Sequence, residues 1–131
     1  MKKITNHFDA KVLVVDDYLI NLELTKQLLE LMACEVDTAA NGLEALEQMK
    51  DNKYDLIFMD IQMPEMDGVE ATKEIRKKDS DENRHTPIIA LTAHAIQGDR
   101  EKYLNEGMDD YLSKPITGSD LEKILIKYLK N

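Results

Sequence analysis

Short strand-like runs punctuate an otherwise polar chain, and four of them stop at chemically distinctive residues. Lys11-Val-Leu-Val-Val15 runs into Asp16 and Asp17, Asp55-Leu-Ile-Phe-Met59 into Asp60, Pro87-Ile-Ile-Ala-Leu91 into Thr92, and Asp110-Tyr-Leu-Ser113 into Lys114-Pro115. Runs this short, rich in β-branched and large apolar residues, predict strands buried on both faces. A fifth strand is predicted where Cys34-Glu-Val-Asp-Thr38 alternates.

The intervening segments have the helical period. Ile20, Leu24, Leu28 and Leu31 form one apolar stripe; Asn41-Gly42 breaks the chain before a second helix with Ala45, Leu46 and Met49 on one face. Ile61-Gln-Met-Pro64 is predicted as a loop, because proline fits neither regular element there. Asp67 and Glu70 have capping-box spacing and open a helix carrying Val69, Thr72 and Ile75, after which Lys77 to Thr86 is the loosest connection. A helix over Asp99 to Asn105 ends at Gly107, a left-handed C-terminal cap. Ser119 and Glu122 repeat the capping-box spacing before the stripe Leu121, Ile124, Leu125 and Tyr128. Five strand–helix pairs with short loops predict an α/β fold: a single domain with a parallel five-stranded sheet covered on both faces. Right-handed crossovers leave few doubly wound arrangements. The flavodoxin-like (βα)5 order 2-1-3-4-5 sets the first and third strands side by side and brings Asp16, Asp17 and Asp60 together.

A chain of 131 residues with 43% hydrophobic and 33% charged residues fits one folded domain. The formal charge of −9 argues against direct nucleic-acid binding, which needs basic patches. No stretch approaches the apolar length of a membrane span, and the start Met1-Lys-Lys is not followed by a secretory apolar core. Cys34 is the only cysteine, which predicts a buried, inert thiol and a reducing, cytoplasmic setting. The methionines read as packing residues, and His7 and His85 as surface residues.

Three carboxylates, a hydroxyl and an ammonium on one rim are equipment for holding a divalent cation and a phosphoryl group. Closely spaced carboxylates repel, and proton uptake or a bound cation relieves the repulsion. Oxygen-only ligands favour Mg²⁺ over zinc or copper. A carboxylate in such a site can attack phosphorus to give an aspartyl phosphate, with Lys114 offsetting charge. Taken alone, Asp17 is equally a turn or cap residue and Lys-Pro is weak evidence; one rim holding all five residues is what favours a site.

The segments VLVVDD, DLIFMDIQMPEMDGVEA, PIIALTAHA and GMDDYLSKPI resemble the receiver domain of two-component response regulators, and in wording the receivers of hybrid sensor kinases and phosphorelays. The resemblance runs from Lys11 to Leu129 and implies a receiver domain over residues 11–130 after an N-terminal extension, residues 1–10. It implies that Asp60 is the phosphoacceptor, that Asp17 and Asp60 bind Mg²⁺ directly, that Asp16 holds it through water, and that the Gln62 backbone carbonyl completes the protein ligands. Lys114 would contact the phosphoryl group and sit before a cis proline. Thr92 would swing toward the phosphoryl group and Tyr111 turn inward behind it, although Tyr111 by itself reads equally as a half-buried strand aromatic. Tyr18 stands where many hybrid-type receivers have asparagine, and Gln62 and His94 fall at variable positions that tune the phosphoryl lifetime, although His94 by itself reads equally as a solvated loop residue.

The implied partner is a histidine kinase or a histidine phosphotransfer domain, with no turnover of a separate substrate. The chain is expected to be a stand-alone receiver or one cut from a longer protein. The alternative is a phosphohydrolase using aspartyl-phosphate chemistry. Haloacid-dehalogenase-type phosphatases, however, carry a second acid two residues after the nucleophile, and here that position is Gln62. A nucleotide-binding α/β protein is disfavoured because Asp16-Asp-Tyr-Leu-Ile20 lacks phosphate-cradling glycines.

Overall fold

Apolar runs flanked by helical segments fold as their periodicity requires. The computed structural model describes residues 8–61, 66–82, 84–93 and 99–129. In chain order these form β1 (Lys11–Val15), α1 (Leu19–Leu31), β2 (Glu35–Ala39), α2 (Gly42–Asp51), β3 (Leu56–Asp60), α3 (Gly68–Asp81), β4 (Ile88–Thr92), α4 (Asp99–Asn105), β5 (Asp110–Ser113) and α5 (Gly118–Leu129). All strand pairings are parallel and the order is β2-β1-β3-β4-β5, as expected. Asp60 and Thr92 are the last residues of their strands, not the first beyond them.

Successive side chains of a strand point to opposite faces, so each central strand feeds two cores. Val12, Val14, Phe58, Ile89 and Leu91 pack under α1 and α5. Leu13, Val15, Ile57, Met59 and Ala90 pack under α2, α3 and α4. Each large side chain buried this way contributes about 1.5–3 kcal/mol. Phe8 and Ala10, in the stretch expected as an extension, also join the first core, and the Phe8 amide donates to Met32 O.

Three local expectations are corrected. The first concerns the buried face of α1, which is Leu22, Thr25 and Leu29; Ile20, Leu24 and Leu31 face solvent, and Leu28 is half-buried. The helix is apolar on more than one side, and its rotation is set by the connections at its ends. It starts two residues after the acid pair and leaves through Ala33 at φ 64° into β2. The second concerns Lys77–Asp81, which continues α3 and is fastened at its end. The buried Asp79 carboxylate accepts from the Thr86 amide at 2.8 Å, the Thr86 hydroxyl at 3.0 Å and Arg76 at 3.1 Å. The third concerns the capping box of α5, which is Thr117 and Asp120. Each side chain accepts the other's amide at 3.1 Å, two residues ahead of the expected Ser119–Glu122 pair.

Other punctuation behaves as predicted. Asn41 and Asp67 cap α2 and α3 by accepting the amides of Glu44 and Glu70, both at 2.9 Å. Gly107 has φ +99°, the left-handed geometry that lets α4 stop and β5 begin. Cys34 is buried, and burial pushes its thiol up to about 11. No helix among the described residues is long and apolar enough to cross a membrane.

Candidate functional site

The sheet order puts the ends of β1 and β3 next to each other, at the point where chain direction across the sheet reverses and ligand sites of open α/β sheets form. Asp16 is anchored there by its own backbone. Its amide donates to Ala39 O at 3.1 Å, and its Oδ1 accepts the Tyr18 amide at 2.9 Å, an Asx turn that fixes the carboxylate. Asp16 and Asp60 are buried, at 2% and 5% exposure, while Asp17 is exposed. One carboxylate oxygen from each of the three lies within 4.8 Å of the others.

Asp17 does not cap α1: the N-cap is Tyr18, and no side-chain hydrogen bond caps that helix. The cluster is therefore where the Asp17 carboxylate is placed, at an electrostatic cost that a helix cap would not carry.

Lys114 reaches this cluster from β5. Its amide donates to Thr92 O at 2.8 Å, and the Lys114–Pro115 bond is cis, as expected. The ammonium Nζ stands 3.4 Å from both Asp16 Oδ2 and Asp60 Oδ1. A tight ammonium–carboxylate hydrogen bond is about 2.7–2.9 Å, so Lys114 is shared between the two acids and locked to neither. Among the described residues, one cation stands against three carboxylates, and that balance is negative. The donor set is oxygen alone, which fits a hard divalent cation such as Mg²⁺ and not a metal that prefers nitrogen or sulfur.

The hydroxyl expected at this rim is also in place. Thr92 is paired with Ser113 across β4 and β5 and is buried, and its Oγ1 accepts a hydrogen bond from the Tyr103 hydroxyl at 3.2 Å. The Tyr103 ring lies 6.1 Å from that of Tyr111, tilted by 47°. Gln62 and His94, as well as His7, lie outside the described residues.

Sequence reasoning missed two features. Tyr103 lies eleven positions after Thr92, on a helix too short for a periodic signal, and nothing in the pattern marks it. At the opposite end of the sheet, Arg76 ties α3 to the start of β4 and β5 by donating to Thr86 O, Gly107 O and Asp109. His85 sits 2.7 Å from the same Asp109 and is otherwise the exposed residue expected. No sequence motif announces that clamp.

Oxygen ligands at a topological switch point, beside an ammonium shared between two carboxylates and a buried hydroxyl, define an α/β protein suited to handling a divalent cation and an anionic group together. The family follows directly: the chain belongs to the response regulator receiver domains, whose family model matches residues 12–126. Over 129 residues it is 44% identical to hybrid signal transduction histidine kinase G of Dictyostelium discoideum, covering 97% of this chain and 4% of that protein. The chain thus spans a small fraction of the curated relatives it matches.

Among solved structures, it resembles the receiver domain of sensor histidine kinase PA1611 from Pseudomonas aeruginosa PAO1, which has a magnesium ion coordinated in its active-site cleft. The TM-score is 0.82 at 38% identity, covering 93% of this chain and 98% of that one. It also resembles a chain of the co-crystal of the Saccharomyces cerevisiae histidine phosphotransfer protein Ypd1 with the receiver domain of Ssk1. There the TM-score is 0.87 at 32% identity, covering 97% and 92% of the two chains.

Proposed function

We propose that residues 11–130 form a phosphoacceptor receiver unit that takes a phosphoryl group from a phosphohistidine onto Asp60 and changes conformation in response. The observation that carries this reading is the shared ammonium: Lys114 sits 3.4 Å from both Asp60 and Asp16 on a rim of three carboxylates. An Asp60 oxygen attacks phosphorus as the phosphorus–nitrogen bond breaks, and the departing imidazole keeps the electron pair and takes a proton. Lys114, freed from sharing, follows the phosphoryl oxygens and offsets their charge. Asp17 and Asp60, with Asp16 through water and the Gln62 carbonyl, are the residues that would hold Mg²⁺, which supplies further neutralisation of the transferred group. No separate substrate is turned over.

The partner is a histidine kinase or histidine phosphotransfer domain. The apolar residues that α1 leaves in solvent support a protein partner: Leu19 and Ile20 are 70% and 65% exposed and begin two residues past the acids. A small cleft of about 40 Å³ beside Asp16 and Lys114, walled by Leu24, Pro115 and Ile116, continues that surface to the site. The buried, inert Cys34 fits a reducing, cytoplasmic setting.

The test is phosphorylation by acetyl phosphate in Mg²⁺, read by intact-mass spectrometry. One phosphoryl group is expected on the wild type and none on Asp60→Asn. Equal labelling of the variant sinks the assignment, and steady phosphate release at many equivalents per minute would favour a phosphohydrolase instead.

A further inference from the structure

We propose that Tyr103 is a positioning residue that holds Thr92 in its unphosphorylated place and so sets how readily the receiver switches. This rests on the reading of Asp60 as phosphoacceptor and Thr92 as the hydroxyl drawn toward it. Tyr103 is buried at 5% exposure, and its ring packs in the core beneath α3 and α4 and against Tyr111. Packing alone would be served by phenylalanine. The hydroxyl is what requires explanation, and in the structure it donates to Thr92 Oγ1 across α4 and β4.

That bond is poised to break. At 3.2 Å it is already long for a hydroxyl pair, whose usual range is about 2.5–3.0 Å, so a few tenths of an ångström of movement by Oγ1 takes it out of reach. When the Thr92 hydroxyl is drawn to a phosphoryl group on Asp60, this already long bond is the one that yields. The Tyr103 hydroxyl is then left as a buried donor that has lost its acceptor, which costs more than the bond itself was worth. The pair therefore stabilises the unphosphorylated state selectively, and a selective interaction is what shifts a two-state equilibrium. The ring that carries this hydroxyl packs against that of Tyr111, so the loss of the bond and a rearrangement of the Tyr111 ring would take place side by side.

Tyr103→Phe removes the hydroxyl and keeps the ring. Beryllofluoride, a phosphoryl mimic, would be titrated in saturating Mg²⁺ and followed by NMR. It should bind Tyr103→Phe at least about two- to tenfold more tightly than wild type, the span expected for one net hydrogen bond, since the stranded donor adds to the loss. Equal or weaker binding overturns the proposal, since a residue that only packs would show no gain. In a Thr92→Ala background the Tyr103→Phe gain should vanish; its persistence means that Tyr103 acts through some other group, and also overturns the proposal. A second readout needs no variant. The Tyr103 Cζ resonance of ¹³C-tyrosine-labelled wild type should move on saturation with beryllofluoride, and a fixed resonance in a protein that has bound the mimic again refutes the hydrogen-bond exchange. Failure of wild type to bind beryllofluoride at all overturns both this proposal and the phosphoacceptor reading, whereas binding with equal affinity in the two proteins overturns this one alone.

Discussion

Gly68→Ala tests how the phosphoacceptor is held, because the start of α3 lies directly on the backbone of β3. A Cβ at position 68 would stand 2.3 Å from the Asp60 carbonyl oxygen and 3.1 Å from its carbonyl carbon and from Ile61 Cα. None of these atoms is the end of a flexible side chain, so relief requires the helix or the strand end to move by the better part of an ångström. Gly68 is held in that position by its amide to Ile61 O at 3.1 Å, and its own carbonyl accepts the Thr72 hydroxyl at 2.7 Å. Overpacking of this kind costs about 1–3 kcal/mol, and the better helix propensity of alanine recovers only part of it in a first turn. For a chain of this size that is a fall of about 3–10 °C in Tm. Displacing the nucleophile by close to 1 Å should slow phosphorylation by acetyl phosphate about 10- to 100-fold. Gly118→Ala serves as the control, since its Cβ would meet only Leu28 Cδ2 at an ordinary 3.7 Å, and it should stay within about 0.5 kcal/mol of wild type. Thermal melts and intact-mass time courses measure both effects. A Gly68→Ala protein that melts and phosphorylates like the Gly118→Ala control would refute the close-packing argument.

Two further outcomes follow from the site and from β5. Mg²⁺ bound only by the folded acid cluster should stabilise the protein by about 2.7 kcal/mol at a hundred times its Kd; Asp17→Ala should lose this response in thermal melts, and an equal response in both proteins argues against a shared site. Burial alone would push the Asp110 carboxyl up, but hydrogen bonds from Lys127, the Tyr111 amide and the Tyr128 hydroxyl, together with the Lys127 charge, outweigh it and hold the group below its ordinary 3.8. A depressed carboxyl pKa contributes stability that is complete above the unfolded value and is lost as pH falls through the folded one. Asp110→Asn should therefore be less stable than wild type at pH 7, and its urea midpoint should decline less between pH 4.5 and 2.5. Parallel declines would show that Asp110 contributes nothing to the pH dependence.

Much of this protein is legible in one dimension because two of its signals are local. Alternation and period mark strands and helices, and the residue after each apolar run is carried to the sheet rim by the strand itself, so Asp16, Asp60, Thr92 and Lys114 could be placed from their spacing. The order 2-1-3-4-5 was also within reach, since short right-handed crossovers leave few alternatives.

Tertiary structure alone decided which of several local options is used. α1 carries apolar residues on more than one side, and only its docking between β1 and β2 determines that Leu22 and Leu29 are buried while Ile20 and Leu31 are left in solvent. Thr117–Asp120 and Ser119–Glu122 share one spacing, and the position of the chain entering α5 selects the first. The connection after α3 reads as loose because its anchors, Thr86 to Asp79 within the connection and Arg76 to Asp109 far along the chain, follow neither the helical nor the strand period. Tyr103 and Thr92 meet for the same reason. Contacts between residues without a common period are created by packing, so they leave no trace in the pattern of the chain.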